Sequence, residues 1–500
     1  MIALTLGEIA EIVGGRLHRA DGSETVASTV EFDTRKLTDG GLFVALPGER
    51  VDGHDFAAQA VAAGASGVLA AREVDAPAVI VPAATEVERP GTPMALLGDR
   101  TGAGASVLAG LAALARQVAG RLSQNGLTIV GVTGSSGKTS TKDLIAQVLE
   151  PMGATVAPPG SFNNELGHPW TVLRSDRDTR HLVLELSARG PGHIAELCSI
   201  APPRIGVVLN VGTAHLGEFG SQEAVARTKG ELPAALPSEA DGGVAILNLD
   251  DPRVAQMAER TSASVVYFGQ RDGAQVRAVD VQLDSAARPS FRLISPQGEA
   301  EVRLALHGAH QVDNALAAAA VALELGATPQ EVAERLSSAR RLSARRMEVT
   351  ERPDGVVVVN DSYNANPESM RAALRTLATM ARETAGEPRR SWAVLGVMGE
   401  LGTDETSAHD EIGRLAVRLN ISRLVVVGDR ARPMYQGACL EGSYGNEAVL
   451  VPDVAGAIDL LGDQMQPGDV VLVKASKAAE LWRVADAILD GSRASNGGTS

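Results

Sequence analysis

The residues best suited to chemistry lie in GVTGSSGKTS, positions 131–140. Gly134 and Gly137 free the backbone, Ser135, Ser136 and Ser140 add hydroxyls, Lys138 supplies a cation, and Thr139 offers an oxygen of the kind Mg2+ prefers. The apolar run LTIV before the stretch reads as a buried strand, and Leu144, Ile145, Val148 and Leu149 after it keep helical spacing. Such a turn from strand into helix aims free amides and the positive end of the helix dipole at an anion, so the chemistry on offer is phosphate binding. The strict phosphate-loop pattern fails, because Val132 stands where it asks for glycine. A plain Gly/Ser-rich turn is the competing reading. Gly-Lys-Thr at a helix start favours a nucleotide.

Four further stretches carry polar residues at the ends of apolar runs. In HLVLELSARG, Glu185 is either a metal-organising carboxylate beside the phosphate-loop strand or a solvent-facing residue on an edge. VVLNVGTAHLGEFGS ends a strand at Asn210 and puts His215 in the following loop, with Lys229 shortly after in AVARTKGEL. Each is unremarkable alone; together with Glu185 and Thr139 they could converge where open α/β sheets bind ligands. In HGAHQVDNALAAAAVALELG, Asn314 either caps its helix or, with His310, reaches a nucleotide base. In VVVVNDSYNANPESM, Asp361, Asn364 and Asn366 crowd one loop together with Tyr363, more polar groups than a helix cap needs, which points to a polar ligand.

These side chains need a scaffold of some size. The chain has 500 residues, enough for roughly three domains at about 150 residues each. Aromatics make up only 3%, so Ala, Val, Leu and Ile must build the core. The net charge of −15 argues against a nucleic-acid partner, whose phosphates would want a basic face. Cys198 and Cys439 alone make no disulfide framework or Cys-rich metal site. The N-terminus lacks a signal-peptide pattern, and the Ala315–Leu323 run stops at Glu324, so a cytoplasmic enzyme without membrane insertion is expected.

The expected fold class is α/β in three domains. Residues 1–102 read as a small α/β unit with strands such as GLFVAL and GVLA. Residues 103–344 read as a mainly parallel sheet carrying the phosphate loop, with a β-rich insert in which Val279, Val281 and Leu283, then Val302, Leu304 and Leu306, alternate as half-buried strands would. Residues 345–490 contain VVVV, WAVLG, RLVVVG and VVLV, each followed by helical sequence, as in a Rossmann-like sheet. Residues 491–500 have nothing to bury and are expected to be disordered.

In their order and spacing, TGSSGKTS, the Glu185 strand, the His215 loop, Lys229, Asn314, Arg346 in RRMEV and Asp361 resemble the Mur ligases, ATP-dependent amide-bond ligases of bacterial cell-wall synthesis. Four stretches narrow the resemblance within that family: FDTRKLTDGGLFVALPGERVDGHDF (32–56), SFNNELGHP (161–169), AHLGEFGSQEAVARTKGEL (214–232) and NDSYNANPESM (360–370). The resemblance implies that ATP, with Mg2+, phosphorylates the terminal carboxyl of UDP-N-acetylmuramoyl-tripeptide. The amine of D-alanyl-D-alanine then attacks the acyl phosphate. It implies Lys138, Glu185, His215 and Lys229 as catalytic residues, and Thr139, Glu185, His215 and a carbamylated Lys229 around the metal. Residues 134–140, Asn314, Arg346 and Asp361 would bind ATP. Asp33, Thr34, Arg35, Asn163, Asn164, Glu165, Asn364, Asn366 and Lys477 would bind the other substrates, with the enzyme a monomer. The chain departs from the family pattern at Gln311 (Asn is frequent), at Val397 (Asp is usual) and at Lys477, where an arginine's bidentate fork is replaced by a point charge. A sister ligase adding a single amino acid or glutamate to a related carrier would share the loop chemistry, and a P-loop regulatory ATPase is the reading from another class.

Overall fold

The computed structural model describes residues 1–48, 51–83, 99, 101–212, 219–382, 388–443, 445 and 447–491. His215 and most of the 491–500 tail lie outside these residues, so the expectations for them are not addressed by the fold. Gly491, the last described residue, ends the final helix in a left-handed conformation.

The chain folds around three main sheets. The first has five strands in the order Arg16–His18, Ala78–Ile80, Ala65–Ala70, Gly41–Val44, Val30–Glu31, parallel except for the Arg16–His18 edge. Helix Leu6–Val13 leans on it, started by a capping box between Thr5 and Glu8 and ended by left-handed Gly14. The second sheet has nine strands. Thr128–Thr133, the strand before the phosphate loop, lies between His181–Glu185 and Ile205–Val208 and is parallel to both. The parallel run continues outward through Val244–Asn248, Ser264–Gly269 and Val276–Leu283. Strands Pro289–Ser295 and Gly298–Arg303 then extend the same sheet antiparallel. The expected β-rich insert is therefore this edge of the main sheet.

One expectation for that edge needs correcting. In Val276–Leu283 the buried side chains are Val276 and Ala278, whereas Leu283 is exposed. The pairing with the next strand shifts register between Val279 and Gln282, and Asp280 sits at φ 55° inside the shift. A bulge of this kind breaks period-two alternation: Val279 and Val281 stay half-buried, Val281 against the core, and Leu283 falls outside the expected pattern. On the sheet's last strand, Gly298–Arg303, Val302 is buried as its alternation predicts, followed by Leu304.

The third sheet has six strands in the order Glu348–Glu351, Val357–Asn360, Val470–Lys474, Ser391–Leu395, Arg423–Val427, Ala448–Val451, parallel apart from the first. Helix Ala103–Ser123 is the one helix among the described residues long and apolar enough to cross a membrane by length and composition. Val107, Leu111, Leu114 and Val118 bury its apolar stripe in the core shared by the first two sheets, which is sufficient reason for its hydropathy.

The first two sheets also meet through aromatics. Phe162 and Trp170 pack at 4.8 Å between ring centroids, Phe32 reaches Trp170 at 6.0 Å, and the Trp170 indole donates to the Val30 carbonyl at 2.8 Å. Phe162 belongs to the loop leading to Asn163.

Candidate active site

At the carboxyl end of the second sheet, the chain leaves Thr133 and turns through 134–137 into helix Lys138–Leu149. Gly137 makes this turn at φ 82°, where an added Cβ would stand 2.6 Å from Asn314 Oδ1. Glycine is required there on both counts. The loop is braced from the next strand: Asn210 Oδ1 accepts from the amides of Ser135 (3.0 Å) and Ser136 (2.9 Å), and its Nδ2 donates to the Ser136 carbonyl at 3.2 Å. Beyond the brace, the first amides of the helix have no partner within it and open on a cleft of about 1180 Å³.

Lys138 Nζ folds back to the Gly134 carbonyl at 2.7 Å. Burial holds its pKa below the usual lysine value, opposed by the nearby Glu185 carboxylate and reinforced by Arg346. Thr139 Oγ1 donates to Glu185 Oε2 at 2.9 Å. The other carboxylate oxygen accepts from Ser161 Oγ (3.0 Å) and Asn163 Nδ2 (2.7 Å). Glu185 is therefore a buried carboxylate at the end of an interior strand, with the phosphate-loop threonine on one side and the Asn163 loop on the other.

Lys229 ends helix Gln222–Lys229 and is buried. Burial drives its pKa well below the usual lysine value, and the Lys138 ammonium adds to the effect. Among the described residues its amine has no hydrogen-bond or ion-pair partner.

The third sheet closes the other side of the cleft. Arg346 lies in the connection into that sheet, its guanidinium 4.2 Å from the Tyr363 ring centroid. Asp361 Oδ2 pairs with the buried Lys474 ammonium at 2.6 Å, and its Oδ1 accepts from the Met347 amide at 3.0 Å. Lys474 also donates to the Asn364 carbonyl at 2.8 Å, fixing the 361–364 loop. Lys477 Nζ stands 6.0 Å from the Tyr363 ring centroid.

The cleft thus brings together residues 135–140, Asn163, Asn164, Glu165, Glu185, Asn314, Arg346, Asp361, Asn364, Asn366 and Lys477. Gly134 lies under it as the acceptor for Lys138, and Lys229 beside it. Asp33, Thr34 and Arg35 are elsewhere, on the first sheet's unit: Asp33 caps the Thr34–Lys36 turn, and its carboxylate takes a bidentate contact from Arg35 that holds its pKa down to about 2. Gln311 Oε1 accepts from Asn314 Nδ2 at 2.9 Å, orienting that amide.

Three cleft residues escaped the sequence reading. Lys474 ends the strand VVLVK, the same signal that marked Glu185. Asn210 was visible as a strand end, although its bracing role needs two strands side by side. Asp313, pushed up to about 6 by burial and held by Gln270 at 2.9 Å, looks like an ordinary helix-start acid in sequence.

Comparison with known families matches residues 26–96 to the Mur ligase family catalytic domain, 132–322 to the Mur ligase middle domain and 345–477 to the Mur ligase glutamate ligase domain. The chain is 56% identical over 507 aligned residues, covering 98% of both sequences, to the UDP-N-acetylmuramoyl-tripeptide–D-alanyl-D-alanine ligase of Mycobacterium tuberculosis. It is 33% identical, over 98% of this chain and 99% of the relative, to the ligase of that name from Escherichia coli. Among solved structures it resembles MurF from Acinetobacter baumannii (TM-score 0.81, 28% identity, covering 98% and 99% of the two chains). MurF ligase from Thermotoga maritima in complex with ADP is also similar (TM-score 0.73, 29% identity, 93% and 97%).

Proposed function

The chain belongs to the Mur ligase family, and from that premise we propose that it joins D-alanyl-D-alanine to UDP-N-acetylmuramoyl-tripeptide at the expense of ATP, in peptidoglycan synthesis. The observation that carries the reading is a single cleft lined from two sheets. One side carries the phosphate loop and Glu185, the other Arg346, Asp361 and Lys477.

The terminal carboxylate of the tripeptide attacks the γ-phosphorus of ATP, breaking its bond to the bridging oxygen and releasing ADP. The dipeptide amine then adds to the acyl carbon. Collapse of the tetrahedral adduct expels phosphate, and the amine proton is lost. Lys138 and the helix amides face the charge that builds on the transferring phosphoryl group, and Arg346 approaches from the opposite wall. Asn314 and Asp361 are assigned to the nucleotide. Asn163, Asn164 and Glu165 take the carboxyl substrate near Glu185, and Asp33, Thr34 and Arg35 its uridine end. Asn364 and Lys477 take the dipeptide side, with Asn366 on the same wall of the cleft.

The donor set fits Mg2+: a threonine hydroxyl and a buried carboxylate are the hard oxygens it prefers. When bound, Mg2+ neutralises charge on the phosphates, and Thr139, Glu185, His215 and Lys229 would hold it. Lys229 fits only if its amine is carbamylated, which replaces a cation with carboxylate-like oxygen; its burial without a described acidic partner supports that reading. The units 1–102, 103–344 and 345–490, a monomeric state and a cytoplasmic location belong to the same proposal, one main sheet in each interval being the support for the division.

The test is ADP release with Mg2+ and ATP. Sustained release should require both nucleotide-tripeptide and D-alanyl-D-alanine. Release that ignores both would leave a bare ATPase.

A further inference from the structure

Asn366 reaches across the cleft to the phosphate loop, and we infer that it is a positioning residue that fixes the loop's Ser135–Ser136 peptide when the third sheet's domain closes. The inference rests on the proposed ligase reaction, and it gives Asn366 a role other than contact with the dipeptide.

The side chain of Asn366 makes two contacts of different kinds. Its Oδ1 accepts from the Ser369 amide at 2.9 Å, capping helix Pro367–Ala381. Its Nδ2 donates to the Ser135 carbonyl at 3.4 Å. The first contact is local; the second joins residues 231 positions apart.

Ser135 is gripped on its other polar groups from within the second sheet's domain. Its amide donates to Asn210, and its hydroxyl accepts from the Gly212 amide at 2.9 Å. The carbonyl alone is held from the third sheet's side among the described contacts. That carbonyl shares a rigid peptide plane with the Ser136 amide, which donates to Asn210 Oδ1 at 2.9 Å. Holding both ends of the plane fixes its orientation, and with it the direction from which the chain enters Gly137 and the phosphate-facing amides.

A second contact brings the same helix start to the same place. The Glu368 side chain passes so close over Gly212 that a Cβ there would lie 2.6 Å from its carboxyl carbon. Gly212 is the residue holding the Ser135 hydroxyl. The start of helix Pro367–Ala381 therefore seats against the phosphate loop and its support together. When the domains part, the Ser135 carbonyl loses the Asn366 donor while the cap on Ser369 remains. The loop geometry is thereby linked to closure.

Asn366→Asp separates the two contacts. Aspartate caps a helix as well as asparagine and suits the positive end of the helix dipole, but it cannot donate to a carbonyl and sets an anionic oxygen against it. With ATP, nucleotide-tripeptide and D-alanyl-D-alanine, Asn366→Asp should lower kcat about tenfold or more, the effect of one hydrogen bond lost at closure. KM for the dipeptide should stay within about twofold, since its contacts are untouched, and the denaturant midpoint should not fall. Asn366→Ser, a shorter cap that cannot reach Ser135, should lower kcat in the same way. Wild-type kcat in Asn366→Asp would overturn the proposal, leaving a cap alone. A raised dipeptide KM with kcat retained would also overturn it, returning Asn366 to the substrate. Loss of ligation in the wild type would instead refute the function on which it rests.

Discussion

Lys138 is the cation of the proposed phosphate loop, and its amine is held only by the Gly134 carbonyl among the described residues, so its loss should spare the fold. Lys138→Ala should lower turnover by at least about 10²-fold, the usual cost of one electrostatic stabiliser, with an unchanged melting temperature. Turnover near wild type would mean that the loop does not act on the transferring phosphoryl group. Lys229 sets a sharper choice, because arginine preserves charge but cannot form a carbamate. Lys229→Ala should be folded and nearly inactive, with partial recovery in acetate or formate, while Lys229→Arg should stay inactive. Full activity in Lys229→Arg, measured as ADP release, would eliminate the carbamate. Both residues stand out in the sequence, Lys138 because Gly-Lys-Thr follows a strand and Lys229 because it matches the family's order. What could not be read was Lys229's burial, or that Asn210 occupies two loop amides. Those facts depend on strands distant in sequence lying side by side.

The strands and helices that position these groups follow the apolar pattern where they are interior. VVVV, WAVLG, RLVVVG and VVLV all form strands of the third sheet. Its two edges, Glu348–Glu351 and Ala448–Val451, are half-exposed and gave a weaker signal. The bulge at Asp280 exposes Leu283 for a similar reason: alternation is a record of pleat, and the pleat is broken there. The short helix Gly167–Val172 carries a further consequence. His168 is fully buried, with neither ring nitrogen in a well-formed hydrogen bond among the described residues, and burial, opposed by the Leu197 backbone, lowers its pKa to about 4. A histidine depressed in the fold contributes stability above its unfolded pKa, and that stability is lost as pH falls through the folded value. Between about pH 6.5 and pH 4 the unfolded chain binds the extra proton, and the contribution declines by about 3 kcal/mol. His168→Phe should flatten that part of the acid limb in urea titrations. An acid limb of unchanged slope would show that the ring escapes its burial before it charges.

Across the molecule, the uridine end of the carboxyl substrate, the ATP phosphates and the amine are assigned to different units, and reaction needs the reacting groups in one dry space. The phosphate loop touches the third sheet's domain through Asn366, and Gly212, which supports the loop, touches it through Glu368, while the aromatic junction of Phe32, Phe162 and Trp170 ties the first unit to the Asn163 loop. None of these long-range contacts could be read from local patterns. Closure around the substrates would exclude the water that otherwise hydrolyses an acyl phosphate. Small-angle scattering should therefore show compaction when an ATP analogue and nucleotide-tripeptide are both present, and an unchanged radius of gyration at saturation would count against closure. The most direct measurement is mass analysis of the product formed from ATP, Mg2+, UDP-N-acetylmuramoyl-tripeptide and D-alanyl-D-alanine. The account predicts one new species, the tripeptide carrier joined to the dipeptide with loss of one water, formed in step with ADP and phosphate. ATP consumed with the carrier unchanged in mass, or a carrier extended by a single amino acid in place of the dipeptide, would contradict it.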